Sequence, residues 1–255
     1  MAWTDIVRAM NELPDDPLGA RLEQVGSVVL PVVPALDFMQ FNRAIGLGID
    51  APAEEGQVDE IIRLYRAAGL SRYSISLSPN AQPAEIRDWL LARDLKRGGD
   101  YAKLWREAGP APRAAKALRI ELIGRDDAQA WAAVQRAAWG MPAAMAPWFT
   151  ATVGRPRWHH YLGFRGNTPV VGGALFIAGE AAWLGFGATV PVFRRHGAHR
   201  AIIAKRIGEA AAQGCSVIVT DAEADTPDAP NPSYHNLVRS GFRLAYLRAT
   251  YTPST

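Results

Sequence analysis

The chain has 255 residues, of which 49% are apolar and 21% are charged, and its formal net charge is +3. This composition excludes a disordered or collagen-like chain, and the single cysteine excludes a disulfide-stapled secreted scaffold. The apolar segment at 25–36 is too short to span a bilayer and holds two prolines, so we expect a cytoplasmic protein with no membrane partner.

Charge is distributed unevenly along the chain. Residues 1–109 carry 12 basic and 16 acidic side chains, whereas residues 110–255 carry 16 and 9. A basic half attracts anions, and its one dense basic cluster lies between Arg194 and Arg206. This cluster favours one anionic ligand over a nucleic acid, because no aromatic residues are interleaved with its basic side chains.

Apolar periodicity gives the elements of the first half in chain order. It predicts a strand at 42–48, a helix from about 53 that ends at Gly69, a strand at 72–77, a helix from 83 to 91 and a strand at 101–105. Residues 108–117 then hold two prolines, one glycine and no apolar periodicity. We therefore predict domains at 1–109 and 118–255 that are joined by a linker at 110–117.

The second half repeats this order with additional elements in front. The pattern predicts a strand at 118–123, a helix at 126–139 capped by Asp126, a helix at 143–152, and strands at 158–164, 169–177 and 181–189 joined by glycine turns. A helix at 197–213, a strand at 216–220, a helix at 233–239 and a strand at 242–251 follow. Gly46 matches Gly185, and 101–106 resembles 243–248 at nearly the same offset, so we predict a tandem repeat.

The strongest functional signal is the segment from Thr189 to Arg200, which joins a predicted strand to a predicted helix. Free N–H groups and a partial positive charge at a helix start bind phosphate, and Gly197 lets the backbone approach the ligand closely. Arg194, Arg195 and Arg200 would add charge that neutralises a phosphorylated ligand. The alternative is that this segment is a solvent-exposed basic helix start that binds no ligand.

Here the chain resembles the GNAT superfamily of N-acetyltransferases, whose phosphate turn reads Arg/Gln-x-x-Gly-x-Gly/Ala. Arg194 and Gly197 match the first two fixed positions, and His199 departs from the third. Asn231 to Phe242 resembles the Asn…helix…Gly-Phe segment near the end of that family's domain. The resemblance covers about 118–251 and implies an α/β (α+β) fold with a mixed, largely antiparallel sheet, flanking helices and two similar domains in tandem.

The resemblance implies acetyl-CoA as co-substrate and assigns the residues that bind it. The pantetheine arm would pair with the open, bulged edge of the strand at 181–189, and the turn would hold the pyrophosphate. The residues implied are Gly187, Ala188 and Thr189 on the strand, Arg194, Arg195, His196, Gly197, Ala198, His199 and Arg200 at the turn, and Asn231 and Ser233 beyond the arm.

The catalytic residues are less sharply defined than the turn. Acyl transfer to an amine needs a base for the ammonium proton and an acid for the leaving thiolate. Leu237 stands where many relatives carry the tyrosine acid, so Tyr234, one turn earlier, is the candidate acid. Asp221 and Glu223 are candidate bases. The alternative is that both belong to a solvated acidic loop and have no catalytic role.

The predicted function is N-acetyl transfer from acetyl-CoA to an amine of an unidentified small molecule or peptide. The alternative is a non-catalytic acyl-CoA-binding or sensing protein, which Leu237 favours. Glu54 and Glu55 occupy the equivalent turn of the first half and would repel a phosphate, so we expect that half to be structural. We expect no metal site, because His196 and His199 lack a third ligand in the sequence pattern.

Overall fold

The computed structural model describes residues 1–113 and 118–254. In these ranges the helices are α1 (Ala2–Asn11), α2 (Glu55–Ala67), α3 (Ile86–Ala92), α4 (Ala128–Trp139), α5 (Ala146–Thr150), α6 (Ala198–Ala212) and α7 (Pro232–Arg239). The strands are β1 (Arg21–Val25), β2 (Val28–Val32), β3 (Arg43–Ala44), β4 (Ser74–Leu77), β5 (Leu95–Glu107), β6 (Arg119–Ile123), β7 (Trp158–Arg165), β8 (Thr168–Ala178), β9 (Ala181–Thr189), β10 (Val217–Glu223) and β11 (Arg243–Pro253).

The first compact unit comprises residues 3–102 together with the C-terminal residues from 246. Its strand order is β3-β4-β11-β5; β3 and β4 are parallel, and β11 is antiparallel to β4 with Ala249 opposite Leu77. A separate hairpin is formed by β1 and β2. The amphipathic α2 buries Ile61 and Tyr65, and the Tyr65 ring stacks on Tyr73 with centroids 4.7 Å apart.

The second unit comprises residues 103–245, with strand order β5-β10-β9-β8-β7-β6. Strands β6 to β9 are antiparallel neighbours, whereas β9 and β10 are parallel.

Two consecutive glycines of β8 show that helices cover both faces of this sheet. A Cβ on Gly172 would lie 2.7 Å from the Trp131 ring of α4, whereas one on Gly173 would lie 2.7 Å from the Arg206 guanidinium of α6. Because successive side chains of a strand point to opposite faces, α4 and α6 lie on opposite sides of the sheet.

Most elements predicted for the second half are confirmed. The hairpin turns contain Gly166 and Gly179 with φ of 56° and 59°, and Gly214 follows α6 with φ of 79°. These left-handed conformations favour glycine, which is why the sequence marks the ends so clearly. The cap predicted at Asp126 is wrong, because residues 125–127 form a 3₁₀ turn and α4 begins only at Ala128.

The first half differs more from its prediction. The strand predicted at 42–48 is reduced to Arg43–Ala44, because Gly46 and Gly48 have φ of 102° and 71° and turn the chain. Helix α1 and the β1–β2 hairpin were not predicted. Both halves share one order: β3-α2-β4-α3-β5 corresponds to β9-α6-β10-α7-β11, and each begins with a parallel pair.

The compact units differ from the domains predicted at 1–109 and 118–255. The first segment of unit one ends at Ala102, and its second segment begins at Tyr246. Residues 114–117 of the predicted linker lie outside the described residues, and the linker stays a prediction.

Candidate functional site

The site begins where two parallel strands stop pairing. The register of β9 with β10 runs from Ala181 opposite Val217 to Leu184 opposite Thr220, and the Thr220 hydroxyl donates to the Leu184 carbonyl at 2.8 Å. Residues 185–189 of β9 continue beyond the last pair of this register. In this register that stretch of β9 has no partner strand, so another extended chain can approach its edge. The carbonyls of Gly185 and Phe186 are already engaged, since they accept from Arg206 Nη1 at 2.8 Å and from Gln135 Nε2 at 3.1 Å.

A β-bulge lies in the same stretch of β9. Gly172 of β8 pairs with Ala188 and Ala174 pairs with Gly185, so two residues of β9 oppose the single Gly173. One of the two, Phe186, has φ of 53°, which is uncommon for a bulky residue. The bulge predicted from the glycines of this strand is confirmed, and it redirects the backbone at Phe186 and Gly187.

The chain then turns into the start of α6. A 3₁₀ turn at Pro191–Phe193 leads to Arg195 with φ of 65° and to Gly197, the N-cap of α6, with φ of 80°. Arg195, Gly197 and Arg200 are exposed. The first N–H groups of a helix have no partner within it, so this turn presents donors and two exposed cations together.

Arg194 makes contacts that the sequence did not reveal. Its Nη2 donates to the Ala138 carbonyl at 2.7 Å, and its Nε donates to the Thr189 carbonyl at 3.3 Å. The His196 Nδ1 lies 2.7 Å from the Arg194 carbonyl oxygen. Arg194 thus holds the turn against the end of α4, and its predicted role as a phosphate ligand stays a prediction.

His199 is half-buried and lies beneath the bulge, where its Nε2 would be 3.0 Å from a Cβ built on Gly187. Its Nδ1 lies 3.2 Å from the Asn236 Nδ2 of α7, and its ring hydrogen-bonds the Gly187 backbone. Burial, with a smaller contribution from the Arg206 charge, lowers the pKa of His199 to about 4, so the imidazole is neutral at pH 7. Because Nδ1 then accepts from Asn236, Nε2–H is left to donate to the Gly187 carbonyl.

Asn231 acts as the N-cap of α7. Its Oδ1 accepts from the N–H groups of Ser233 at 2.9 Å and Tyr234 at 3.3 Å, and its Nδ2 donates to the Glu223 carbonyl at 2.8 Å. These bonds satisfy helix-end donors and fix the loop after β10. The side chain of Asn231 is therefore engaged within the protein, and contact of Asn231 and Ser233 with a ligand stays a prediction.

The candidate acids and bases occupy different surroundings. Asp221 is largely buried just beyond the last β9–β10 pair, with Oδ1 3.4 Å from Trp183 Nε1 and Oδ2 3.5 Å from Lys103 Nζ. Glu223 is exposed two residues later on the same face of β10. Tyr234 is half-buried in the first turn of α7, and Leu237 is buried one turn on.

Aromatic rings cover the sheet face on the α4 side of the bulge. Phe186 lies 6.0 Å from Trp183 and 6.3 Å from Trp139 between ring centroids, and Trp139 is 42% exposed. Trp148 and Trp158, by contrast, are 1% and 5% exposed and belong to the core.

Sequence reasoning missed Lys103, Asn236 and Arg206. In the sequence Arg206 belongs to the basic cluster, yet it is 2% exposed and lies beneath β9. A signal was present: Arg206 follows Ala198 and Ile202 at four-residue spacing, which places a charge on an apolar stripe of the helix.

Other features of the described residues fit the core or the surface. Cys215 is buried, and burial raises the pKa of its thiol, which lowers its reactivity. Among the described residues, no three His, Cys, Asp or Glu side chains group closely enough to hold a metal ion. None of the helices in those residues is long and apolar enough to cross a membrane.

Comparison with known proteins finds similarity at the level of structure. No protein-family model and no curated protein matches the sequence. Solved structures do match: a GCN5-related N-acetyltransferase from Kribbella flavida has a TM-score of 0.68 at 16% identity, over 100% of this chain and 95% of its own. The chain has the fold of the GCN5-related N-acetyltransferases. The predicted fold class, and with it the resemblance to this superfamily in fold, is thereby confirmed.

Two further solved structures cover nearly the whole chain. A GCN5-related N-acetyltransferase from Sphaerobacter thermophilus matches with a TM-score of 0.63 and 14% identity over 97% of this chain and 89% of its own. A tandem GNAT protein from the clavulanic acid biosynthesis pathway matches with a TM-score of 0.59 and 14% identity over 99% and 95%. At these identities the likeness establishes the fold, and the reaction has to be argued from the site.

Proposed function

We propose that the second half of the chain binds acetyl-CoA and transfers its acetyl group to an amine of a small molecule or peptide. The observation that carries this proposal is the separation of β9 from β10 beyond Leu184, next to the bulge at Phe186 and Gly187. An extended pantetheine arm carries amides that can pair with a free strand edge as another strand would. The turn that follows offers N–H groups and the exposed Arg195 and Arg200 to its phosphates.

Asp221 is the better placed of the two candidate bases. It lies at the end of the strand pairing, where Lys103 and Trp183 fix its carboxylate. In this proposal Asp221 takes the ammonium proton, directly or through one water, and Tyr234 protonates the leaving thiolate. Glu223, which is more exposed, would then serve only to attract a cationic acceptor.

The acceptor would approach over the aromatic surface formed by the exposed Trp139 and the half-buried Phe186 and Trp183. Aromatic faces attract ammonium groups and also bind apolar chains. This surface favours an amine that carries an apolar or aromatic group over a highly polar polyamine.

In the first half, acidic residues occupy the position of the phosphate turn. The Gln57 side chain accepts from the Glu54 N–H at 3.0 Å, and Glu55 pairs with Arg93 at 3.0 Å. Both acids lie at the start of α2, where they complement the helix dipole themselves. We therefore propose a binding stoichiometry of one acetyl-CoA per chain.

The alternative, an acyl-CoA-binding protein without turnover, is favoured by the buried Leu237 and by the ion pair that already engages Asp221. Calorimetry with acetyl-CoA, followed by detection of free thiol with a panel of amines, separates the two. We expect Asp221→Asn to lower turnover by roughly 10²- to 10⁴-fold with CoA affinity nearly unchanged, the usual scale for one proton-transfer group.

Asp228→Asn is the matched control, because Asp228 is an exposed acid of the loop that follows β10. Binding without thiol release for any amine supports the alternative. A chain that binds neither CoA nor acetyl-CoA contradicts both functions.

A further inference from the structure

A guanidinium is buried directly beneath the bulge of β9. Arg206 of α6 is 2% exposed, and its Nη1 donates to the carbonyls of Ala174 at 2.9 Å and Gly185 at 2.8 Å. Its Nε donates to the Ile202 carbonyl at 3.0 Å. A Cβ built on Gly187 would lie 3.3 Å from its Nη2. Arg206 therefore contacts β8 and β9 where their register shifts.

The charge of Arg206 has no carboxylate partner to balance it. All three hydrogen bonds given above go to neutral backbone carbonyls, and none of the ion pairs within the described residues includes Arg206. Glu209, one turn later on α6, instead pairs with Lys205 at 3.4 Å.

The titratable groups that face Arg206 are neutral at pH 7. Burial raises the pKa of the Tyr161 phenol on β7, and burial lowers the pKa of His199 to about 4. Burial also lowers the pKa of Arg206 to about 9, which is still well above neutrality, so the guanidinium is a cation. Burying such a charge without a counter-ion is costly, so its retention calls for a function.

The position of this charge relates it to the proposed acyl transfer. When the amine attacks, a C–N bond forms and the carbonyl oxygen takes up the negative charge. When the intermediate collapses, the C–S bond breaks and its electron pair remains on sulfur, while the nitrogen loses a proton to the base. Negative charge thus appears first on oxygen and then on the thiolate, and a fixed, buried cation stabilises both states more than water would.

We propose that Arg206 is an electrostatic positioning residue, whose unpaired charge beneath the β9 bulge stabilises the anionic oxygen and the CoA thiolate. It acts through the strand. The Gly185 carbonyl and the Phe186 N–H belong to the same peptide group. When Arg206 donates to this carbonyl, it polarises the peptide group and makes the Phe186 N–H a stronger donor. The inference rests on the proposed function, because that function places the thioester at this edge of β9.

The test measures the thiol pKa of bound CoA, from the ultraviolet absorbance of the thiolate in a pH titration of the binary complex. No acceptor and no turnover are needed. At an effective dielectric of about 20, a unit charge at a distance of about 8 Å shifts a thiol pKa by roughly 1.5 units, and a nearer charge shifts it more. We therefore expect the thiol pKa of bound CoA to lie roughly one to two units below that of free CoA.

Substitutions of Arg206 then separate its charge from its packing. Arg206→Gln keeps a donor for the carbonyls without the charge, and the thiol pKa should return toward that of free CoA; Arg206→Lys should keep most of the shift. Lys205→Gln is the matched control, because it removes an exposed charge from the same helix and should change the thiol pKa little. Where an amine substrate is found, Arg206→Gln should lower kcat more than it raises KM.

The outcomes are distinguishable even if a variant does not fold. An unshifted thiol pKa in the wild-type complex overturns the inference on Arg206 and leaves CoA binding intact. A shift that persists in Arg206→Gln also overturns it, since another group would then supply the field. Failure of the wild-type chain to bind CoA contradicts the proposed function itself, and this inference with it.

Discussion

Gly197 is the residue at which the cofactor assignment can be tested most directly. Its φ of 80° lies in the left-handed region, which costs an L-residue roughly 1–2 kcal/mol and a β-branched residue at least as much. Gly197→Val therefore either strains the turn or moves its backbone out of that region. A moved backbone would redirect the first N–H groups of α6, and the new side chain would stand where the phosphates approach.

The same helix supplies a matched control. Gly214 follows the end of α6 with φ of 79° and open space around the position of its Cβ. Gly214→Val should therefore cost a similar free energy of unfolding, and each variant should lower Tm by roughly 2–8 °C, at about 2–4 °C per kcal/mol. Only Gly197→Val should weaken CoA binding, by more than about tenfold, which corresponds to about 1.4 kcal/mol.

Calorimetry with CoA and with pantetheine, which lacks the phosphates, identifies the cause. If the turn holds phosphates, Gly197→Val loses CoA affinity and keeps its pantetheine affinity. Equal CoA affinities in the Gly197 and Gly214 variants would refute the assignment of phosphates to this turn.

Three further outcomes are expected. Tyr234→Phe should lower acetyl transfer roughly 10²- to 10⁴-fold with CoA affinity unchanged, and a loss below about threefold in steady-state assays would remove it as the acid. Gly172→Ala should destabilise the fold by about 1–3 kcal/mol in urea unfolding, because its Cβ would lie 2.6 Å from Gln135 Nε2, whereas Gly124→Ala, in open space, should be nearly neutral. Burial lowers the pKa of His160 from 6.5 to about 3. As the pH falls, the unfolded chain therefore takes up this proton at a higher pH than the folded chain does. The free energy of unfolding should decrease as the pH drops from about 6.5 toward 3. His160→Gln should flatten this dependence of the urea midpoint on pH, and an unchanged slope would show that His160 does not contribute to it.

Local signals predicted the second half of the fold well and the first half less well. Gly166, Gly179 and Gly214 require left-handed backbone, so their positions mark turns in the sequence itself. The pairing of β11 with β4 joins residues about 170 positions apart, and no local pattern encodes such a contact.

In the candidate site, too, the features set by local backbone conformation were predictable, and the contacts set by tertiary packing were not. The bulge at Gly185–Gly187 and the helix start at Gly197 follow from residue type, because they depend on backbone conformation. The contacts of Arg194 with Ala138 and the ion pair of Asp221 with Lys103 depend on tertiary packing and were not predictable. Arg206 lies in the basic cluster of the sequence, and only its spacing from Ala198 and Ile202 indicated that it is buried; its contacts with β8 and β9 depend on tertiary packing.

The placement of β11 has a consequence for biosynthesis. In the first compact unit this strand lies between β4 and β5, so residues 1–102 leave the ribosome with one strand of their sheet still missing. At ordinary rates of translation, roughly 7–30 s pass before residues 246–253 emerge. During that interval the edges of β4 and β5 are unpaired and able to associate with other nascent chains. A chaperone that shields strand edges would therefore be expected to raise the yield of folded protein, and slower translation would be expected to lower it.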